Sequence, residues 1–467
     1  MIVLVTPFLW FCSDGGQSDA GGGKDKPIMA PKTDFRVDIS KVITDNFLGI
    51  GTQYNGCLFK SNTMADDGVS EVNFPELEKK VVELGSQYVR IFFSNKCWEG
   101  KKEYSPENWP SFLRVVKLAQ KSKSLVNITY WHTSRVEDMA HFADVIKTLI
   151  VDEGLTCVKQ VTIQNEVNGS TKFTPEYYHS LYTEFVGRLV ELGIRDKVQI
   201  VGGDLTKDNQ SVWFTYLSTK MSGILDGYSS HIYYDYWDAA KPVERLSSIR
   251  KELDQMQGNG IKPCYITEYG IRGKKRQTDD SDPGFWQDTD IQYGVTNDCA
   301  FRHAKFQMQA MNAGFSGLIK WDCFKAKYGD GNQYYSVIGA GKDGYPLTPT
   351  YWILWAFTHT SRIGWKVISV ETIDAPEEKY CAAVTDGKEH FTIYAQSRVS
   401  GVAPFVIEGL PANKRFRIIS WNSNKEGGLT ELEPVISDAK GRLTFEVAPE
   451  CFVAVTTLDF DIPKNLK

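Results

Sequence analysis

At 467 residues, the chain is long enough for one large domain with a smaller one attached. Hydrophobic residues make up 42% of the sequence and charged residues 24%, which is normal for a globular protein. The net charge of −5 at neutral pH gives no support for broad nucleic-acid binding. The nine cysteines are scattered, without a CxxC pair or a His-rich cluster, which argues against a zinc site. We predict no metal and no cofactor.

The N-terminal segment has the pattern of an export signal. Residues 2–11 form an apolar run that is too short to span a bilayer and suits the core of a signal peptide. Cys12 follows, and the polar, Gly-rich residues 13–23 are typical of a flexible tether. This order resembles a bacterial lipoprotein leader, although Phe11 stands where a small residue is expected and a basic n-region is missing. We therefore expect residues 1–33 to be leader and linker, the protein to be exported to the periplasm, cell surface or medium, and Cys12 to be a candidate for an outer-membrane lipid anchor.

Residues 34–365 alternate short apolar runs with longer amphipathic segments, which predicts repeated strand–helix units. The eight predicted strands are Phe47–Gly51, Tyr88–Phe93, Ser124–Tyr130, Val158–Gln164, Val198–Gly202, Gly227–Tyr233, Pro263–Tyr269 and Gly317–Trp321. The predicted helices are Phe74–Leu84, Trp109–Ser122, Val136–Asp152, Pro175–Leu192, Ser211–Met221, Pro242–Gln257 and Ala300–Asn312. This succession predicts a (β/α)8 TIM barrel. A doubly wound open sheet is the alternative, and it is less favoured because no Gly-rich phosphate loop opens the first unit.

After Gly364 the pattern changes to short alternating runs separated by turn signals such as Asp386-Gly387. The predicted strands are Lys366–Glu371, Tyr380–Thr385, His390–Gln396, Pro404–Glu408, Arg415–Trp421, Leu443–Val447 and Phe452–Thr457. Residues 366–467 are therefore predicted to form a β-sandwich. Residues 34–45 alternate as well and could add a strand to it.

Two glutamates each follow an apolar, β-branched run, Glu166 at the end of the fourth predicted strand and Glu268 at the end of the seventh. The carboxyl ends of barrel strands are where this fold carries out its chemistry. A single such glutamate could equally be a surface residue, but two on separate strands can converge on one bond, as glycoside cleavage requires. Asn165, beside Glu166, adds a donor suited to a sugar hydroxyl.

These residues resemble the pattern of the clan A glycoside hydrolases, which are retaining enzymes on a TIM barrel with Asn-Glu on strand four and Glu on strand seven. Other strand ends fit the same pattern, namely Arg90 on strand two, Trp131 and His132 on strand three, His231 and Tyr233 on strand six, and Trp321 on strand eight. The layout, with its appended sandwich, is similar to that of families 30, 39, 51 and 5. Many members have proline after Asn-Glu, and this chain has Val167.

The resemblance implies a retaining O-glycoside hydrolase that acts on β bonds by double displacement, with Glu268 as nucleophile and Glu166 as acid/base. It implies that Arg90 and Tyr233 favour the ionised form of Glu268. It also implies that Asn165 binds the sugar 2-hydroxyl, in an interaction that strengthens in the transition state. Trp321 would floor the subsite, and the other residues of the pattern would bind substrate.

Plainer interpretations exist for the single residues. Arg90 could form a structural salt bridge, His231 could be a satisfied core histidine, and Trp321 and Trp131 could simply pack. For the whole chain, the rival of another class is a surface lipoprotein that binds carbohydrate on a glycosidase-like barrel without turnover. In both cases we expect a polysaccharide or oligosaccharide ligand, no nucleic acid and a monomeric protein.

Overall fold

A computed structural model describes residues 32–98, 104–131, 134–169, 172–206, 210–273, 293–325, 335–423 and 428–463. Residues 33–467 belong to one compact unit, in which the strands form two sheets: a closed barrel and a nine-stranded sheet. Cys12 and nearly all of the predicted leader and linker lie outside the described residues.

The barrel consists of eight parallel strands in chain order, and the first closes on the last through the pairs Ile50–Leu318 and Gly51–Ile319. The strands are β2 (Ile50–Tyr54), β3 (Tyr88–Ser94), β4 (Leu125–Trp131), β5 (Val158–Ile163), β6 (Gln199–Leu205), β7 (Gly227–Asp235), β8 (Cys264–Arg272) and β9 (Leu318–Lys320). The predicted TIM barrel is confirmed. The largest difference is at its first strand, which begins three residues later than the apolar run starting at Phe47 indicated.

Alternation along each strand separates the barrel interior from the core around it. In β3, Val89, Ile91 and Phe93 belong to the large apolar core of barrel and helices. Tyr88 and Arg90 point the other way, across the barrel, where they bond residues of β5 and β8. Tyr88 belongs to a small apolar cluster, and Arg90 lies one inward-facing position closer to the carboxyl ends of the strands. The barrel interior is thus apolar at the level of Tyr88 and becomes polar at Arg90, toward the carboxyl ends of the strands.

Nine α-helices occur in the described residues: α1 (Ser61–Asp67), α2 (Phe74–Leu84), α3 (Asn108–Lys121), α4 (Val136–Lys147), α5 (Pro175–Glu191), α6 (Gln210–Lys220), α7 (Lys241–Asp254), α8 (Asn297–Asn312) and α9 (Pro349–His359). The predicted helix Val136–Asp152 is α4 extended by a π-helical turn, Thr148–Asp152. Helix α9 was not predicted because its residues are apolar on every side and nearly all buried, so it lacks an amphipathic period. None of the described helices combines the length and apolar character needed to cross a bilayer.

The strands of the second sheet are β1 (Phe35–Phe47), β10 (Trp365–Thr372), β11 (Lys379–Thr385), β12 (Phe391–Ser397), β13 (Ala403–Glu408), β14 (Arg415–Asn422), β15 (Thr430–Ile436), β16 (Leu443–Val447) and β17 (Cys451–Thr456). The sheet is antiparallel apart from one parallel pair, and its order is β15-β14-β17-β12-β11-β10-β1-β13-β16. It forms a sandwich-like layer around an apolar cluster that includes Phe35, Phe405 and Phe416. Strand β15 was not predicted, since most of its residues are exposed.

Helices α8 and α9 join the second sheet to the barrel. The ring of Phe301 on α8 lies 5.0 Å from that of Trp421, and the ring of Phe357 on α9 lies 5.2 Å from that of Phe452. Asp298 at the start of α8 accepts from Arg398 at 2.7 Å. These contacts make the sheet a packing partner of the barrel.

Candidate active site

The predicted site residues meet at the carboxyl ends of the barrel strands. They are Arg90 on β3, Trp131 at the end of β4, Asn165 and Glu166 after β5, His231 and Tyr233 on β7, Glu268 on β8, and Trp321 after β9. His132, the remaining predicted residue, lies outside the described residues. Direct contacts join six of these residues into one network, and the two tryptophans lie beside it.

Arg90 is the centre of the network. Its side chain is fully buried and donates from every guanidinium nitrogen. Nη1 contacts Glu268 Oε2 at 2.5 Å, and Nη2 contacts Asn165 Oδ1 at 2.5 Å and Asp204 Oδ2 at 2.6 Å. Nε donates to Thr129 Oγ1 at 2.9 Å. The planar guanidinium, with donors in fixed directions, thus contacts residues on or just after four strands, β4, β5, β6 and β8, in a way that a lysine ammonium cannot.

Glu268 is buried and surrounded by donors. Besides Arg90, the Tyr233 hydroxyl donates to its Oε1 at 2.6 Å, and His231 Nδ1 lies 3.9 Å from its Oε2. Burial raises the pKa of the Glu268 carboxyl above its usual value, while the charges of His231 and Arg90 and the Tyr233 hydroxyl act in the opposite direction.

His231 bridges two carboxyl groups. Its Nδ1 lies 3.1 Å from Glu166 Oε1, and its Nε2 lies 3.4 Å from Asp204 Oδ1. Burial disfavours the imidazolium, but Glu268 and Asp204 outweigh that effect and raise the pKa of His231 to about 9. His231 is therefore a cation at neutral pH, with a proton on each ring nitrogen.

Asp204, near the end of β6, belongs to this network and was missed by the sequence analysis. It is fully buried, and its Oδ1 accepts from Ser229 at 2.7 Å and from Thr267 at 2.6 Å. Although burial opposes ionisation, Arg90 and His231 hold the pKa of Asp204 well below its usual value. The fifth predicted strand ended at Gly202, two residues short of Asp204. The available signal was an acidic residue directly after an apolar strand of the barrel.

The backbone that carries Asn165 and Glu166 is unusual. Gln164 and Glu166 have φ values of 65° and 49°, a region that non-glycine residues seldom occupy. The side chain of Gln164 secures the turn by accepting from the Ser134 amide at 3.0 Å and donating to the Asn165 carbonyl at 3.0 Å. The turn presents Asn165 to Arg90 and Glu166 to His231. Val167, which follows, is fully buried.

The two glutamates share a small space but differ in access to solvent. An oxygen of Glu166 lies within 4.8 Å of an oxygen of Glu268. The Glu166 side chain is 31% exposed and that of Glu268 is 5% exposed. The deeper group is suited to bond to a carbon held against it, and the outer one can exchange protons with a leaving group or water.

Glu166, His231 and Glu268 are also the group of described residues whose ligand atoms are close enough to hold a metal ion. A metal there would have to displace the proton from an imidazole that two carboxylates stabilise as a cation. It would also compete with Arg90, 2.5 Å from Glu268. We therefore assign the three residues to the ion-pair network around His231 and not to a metal site.

Aromatic rings line one side of the network. Phe92 stacks on Trp131, with ring centroids 5.3 Å apart, and lies 5.9 Å from Trp321. The guanidinium carbon of Arg90 lies 4.4 Å from the centroid of the Phe92 ring. Trp321 is buried and Trp131 half-buried. Such flat apolar surfaces suit the faces of sugar rings, and Phe92 fixes the two tryptophans relative to the charged cluster.

No model of a known protein family matches the sequence, and no curated protein matches it either. The fold, by contrast, is similar to that of solved glycoside hydrolases. A GH30 endoxylanase from Clostridium papyrosolvens C71 is 13% identical over 91% of this chain and 99% of that one, with a TM-score of 0.65. An α-L-arabinofuranosidase from Thermotoga maritima is 14% identical over 91% and 99%, with a TM-score of 0.64. An endo-β-1,6-glucanase is 12% identical over 93% and 94%, with a TM-score of 0.62. The predicted resemblance to the clan A enzymes is thus confirmed for the fold.

Proposed function

We propose that the protein is a retaining glycoside hydrolase in which Glu268 is the nucleophile and Glu166 the acid/base. The observation that carries the proposal is the separation of the two carboxyl groups, whose oxygens approach within 4.8 Å. Retaining glycosidases hold these groups about 5–5.5 Å apart, whereas inverting enzymes leave about 6.5–9.5 Å for a water molecule. The spacing therefore favours double displacement.

In the first step, the ionised Glu268 attacks the anomeric carbon and forms a covalent glycosyl ester. The bond from that carbon to the glycosidic oxygen breaks, and protonated Glu166 gives its proton to the departing oxygen. Arg90 and Tyr233, which contact the Glu268 oxygens at 2.5 and 2.6 Å, orient the carboxylate for attack.

In the second step, water replaces the leaving group. Glu166, now ionised, removes a proton from the water as its oxygen attacks the anomeric carbon, and the ester bond to Glu268 breaks. Both glutamates return to their starting protonation states. Two inversions at one carbon give net retention of configuration.

Asn165 and Trp321 would bind the sugar next to the nucleophile. Because Asn165 Oδ1 accepts from Arg90, its Nδ2 group is the donor available to a 2-hydroxyl, where a hydrogen bond strengthens in the transition state. The buried Trp321, fixed through Phe92, would pack under the ring. Trp131 would extend the same surface toward a neighbouring sugar.

A carbohydrate substrate is supported by the solved structures with this fold, which include an endoxylanase, an arabinofuranosidase and an endo-β-1,6-glucanase. We propose a plant or microbial polysaccharide, or an oligosaccharide derived from one. A screen of xylan, arabinan, β-glucans, mannan and galactan would define the sugar.

Azide rescue tests the two roles separately. With an activated aryl glycoside, Glu268→Ala should be inactive until azide is added and should then yield the glycosyl azide of inverted configuration. Glu166→Ala should retain its first step, because the leaving group needs no proton, and should yield the azide of retained configuration. Opposite anomers from the two variants are the result expected.

The control for these variants is Glu191→Ala, which removes an exposed glutamate of α5 that pairs with Arg188, and it should behave as wild type. Wild-type-like turnover by Glu268→Ala would refute the assignment of the nucleophile. Binding of a polysaccharide by the wild type without any cleavage would favour the carbohydrate-binding alternative.

A further inference from the structure

One buried carboxylate contacts both cations of the site. Asp204 Oδ2 lies 2.6 Å from Arg90 Nη2, and its Oδ1 lies 3.4 Å from His231 Nε2. Each cation continues to a different glutamate: Arg90 to Glu268 at 2.5 Å, and His231 Nδ1 to Glu166 at 3.1 Å. Asp204 itself contacts neither glutamate in the described hydrogen bonds and ion pairs.

Two hydroxyl groups fix the orientation of the Asp204 carboxylate, and a backbone contact holds the residue itself. Ser229 and Thr267 donate to Oδ1, and the Asp204 amide donates to Ser229 Oγ at 2.8 Å. Gly203 makes this close approach possible, since a Cβ at that position would lie 2.5 Å from the Ser229 carbonyl oxygen. Its φ of 126° is likewise open to glycine. Two neighbouring strands, β7 and β8, thus each contribute a hydroxyl group that holds this one carboxylate.

We propose that Asp204 is a positioning residue that couples Arg90 to His231, so that the groups holding the nucleophile and the acid/base act as one unit. The inference rests on the proposed function and deepens it. It adds a residue of β6 to the machinery and gives His231 a defined role as the cation between Asp204 and Glu166.

Charge balance explains why the carboxylate is needed. Arg90 and His231 bring two positive charges into a site buried from water, and Asp204 and Glu268 are the two buried carboxyl groups beside them. Without Asp204 one positive charge is left over. Arginine does not lose its proton in proteins, so the imbalance falls on His231, whose pKa drops because one of the carboxylates that raise it is gone. Glu268 then has one cation fewer beside it, and its pKa rises further.

Other titratable groups near the pair do not disturb this balance. Those that face Asp204 or His231 are Arg90 and Tyr88 from β3, Glu166 after β5, Tyr178 and Tyr182 from α5, and Glu268 from β8. Tyr233 on β7 contacts Glu268. Burial raises the pKa of each of these tyrosines well above its usual value, so all four stay neutral. The charged groups around His231 are therefore Arg90, Asp204 and the two glutamates.

The test is an NMR titration of 15N-histidine-labelled full-length protein, in wild type and Asp204→Asn, with the His231 signal assigned through His231→Gln. The wild-type midpoint should lie near the pKa of about 9 that the two carboxylates impose. In Asp204→Asn it should fall by at least about one unit, a tenfold loss of proton affinity. A smaller fall contradicts the coupling. Asp226→Asn is the matched control, since it removes a carboxylate that pairs with Arg195, and it should not move the midpoint.

Kinetics provide a second readout that a merely structural role would not change. Asp204→Asn should lower kcat at least about tenfold with KM altered less than about threefold, because Asp204 does not touch substrate. The acid limb of its pH profile should move to higher pH, because the pKa of Glu268 rises. An unchanged profile contradicts the proposal.

The two arms separate failure of the inference from failure of the proposed function. If the wild type hydrolyses no glycoside but the His231 midpoint shifts as expected, the coupling stands and the proposed reaction does not. If Asp204→Asn does not fold, as judged by circular dichroism, the wild-type titration decides. A His231 midpoint above about 7.5 supports the coupling, and a midpoint below that value contradicts it.

Discussion

The barrel and the nine-stranded sheet both bury charged groups, and they do so differently. In the sheet, Lys379 pairs with Asp34 at 2.8 Å, one cation with one anion, next to the aromatic cluster. In the barrel, Arg90 and His231 are shared among three carboxyl groups. A one-to-one pair fixes a structure. A shared network also leaves one carboxyl group free to take up or release a proton, which is what acid/base chemistry requires.

The difference extends to what surrounds the charges. The sheet interior is a cluster of apolar side chains such as Phe405 and Phe416, whose burial stabilises the fold. The barrel interior near the carboxyl ends of the strands holds ionised groups. Their desolvation opposes folding unless every partner is in place. We therefore expect substitutions in the barrel cluster to affect activity and stability together, and those in the sheet to affect stability alone.

The largest effect should follow Arg90→Lys. One ammonium cannot replace contacts to Glu268, Asn165 and Asp204, so two carboxylates would lie buried without their partner. We expect a loss of about 3–5 kcal/mol in the free energy of unfolding and a fall in kcat/KM of at least about 10²-fold. Urea unfolding and initial rates measure the two. Arg188→Lys, at an exposed pair, is the control and should cost about 1 kcal/mol or less.

Phe405→Ala should separate stability from activity. The Phe405 ring is fully buried and stacks with Phe35 and Phe445, at centroid distances of 6.0 and 5.5 Å. The cavity should lower the free energy of unfolding by about 3–5 kcal/mol, while kcat/KM well below the unfolding temperature stays within about twofold of wild type. A proportionate loss of activity would show that the sheet takes part in the site. Val402→Ala, at a position 63% exposed, is the control.

The pH dependence of stability should carry the signature of His231. Its pKa is raised from 6.5 to about 9 in the folded protein, so its stabilising effect is complete below pH 6.5 and lost as the pH rises through 9. The shift corresponds to roughly 3 kcal/mol. Unfolding in urea between pH 6 and 9.5 should show this decline in the wild type. If His231→Gln declines equally, the effect belongs to another group.

Asn165→Ala should have the smallest effect of this series on stability and a selective effect on catalysis. The amide is half-buried and contacts a hydroxyl only when sugar is bound, so kcat should fall about 10²-fold while KM changes less than about threefold. A rise in KM at constant kcat would instead indicate uniform binding of substrate and transition state. Asn62→Ala, at an exposed position on α1, serves as the control.

The sequence allowed the barrel to be predicted because each of its strands is an apolar run bounded by a helix of regular period. It also indicated Glu166 and Glu268, since charged residues at the ends of such runs are unusual, whereas Arg90, inside its strand, was indicated through the resemblance to the clan A enzymes. It did not indicate Asp204, because the predicted strand ended at Gly202 and an Asp after two glycines resembles a loop residue. The left-handed backbone of Asp204 is visible only in the structure. Nor did it indicate which carboxylate each cation would contact, since that depends on how the strands converge.

The stereochemistry of hydrolysis tests the central claim most directly. Proton NMR during the first minutes of digestion, before the product mutarotates, identifies the anomer that the enzyme releases from a β-linked substrate. The proposed pair, Glu166 and Glu268, predicts the β-anomer, because two displacements at one carbon retain its configuration. Release of the α-anomer would mean a single displacement by water and would contradict the assignment of Glu268 as nucleophile.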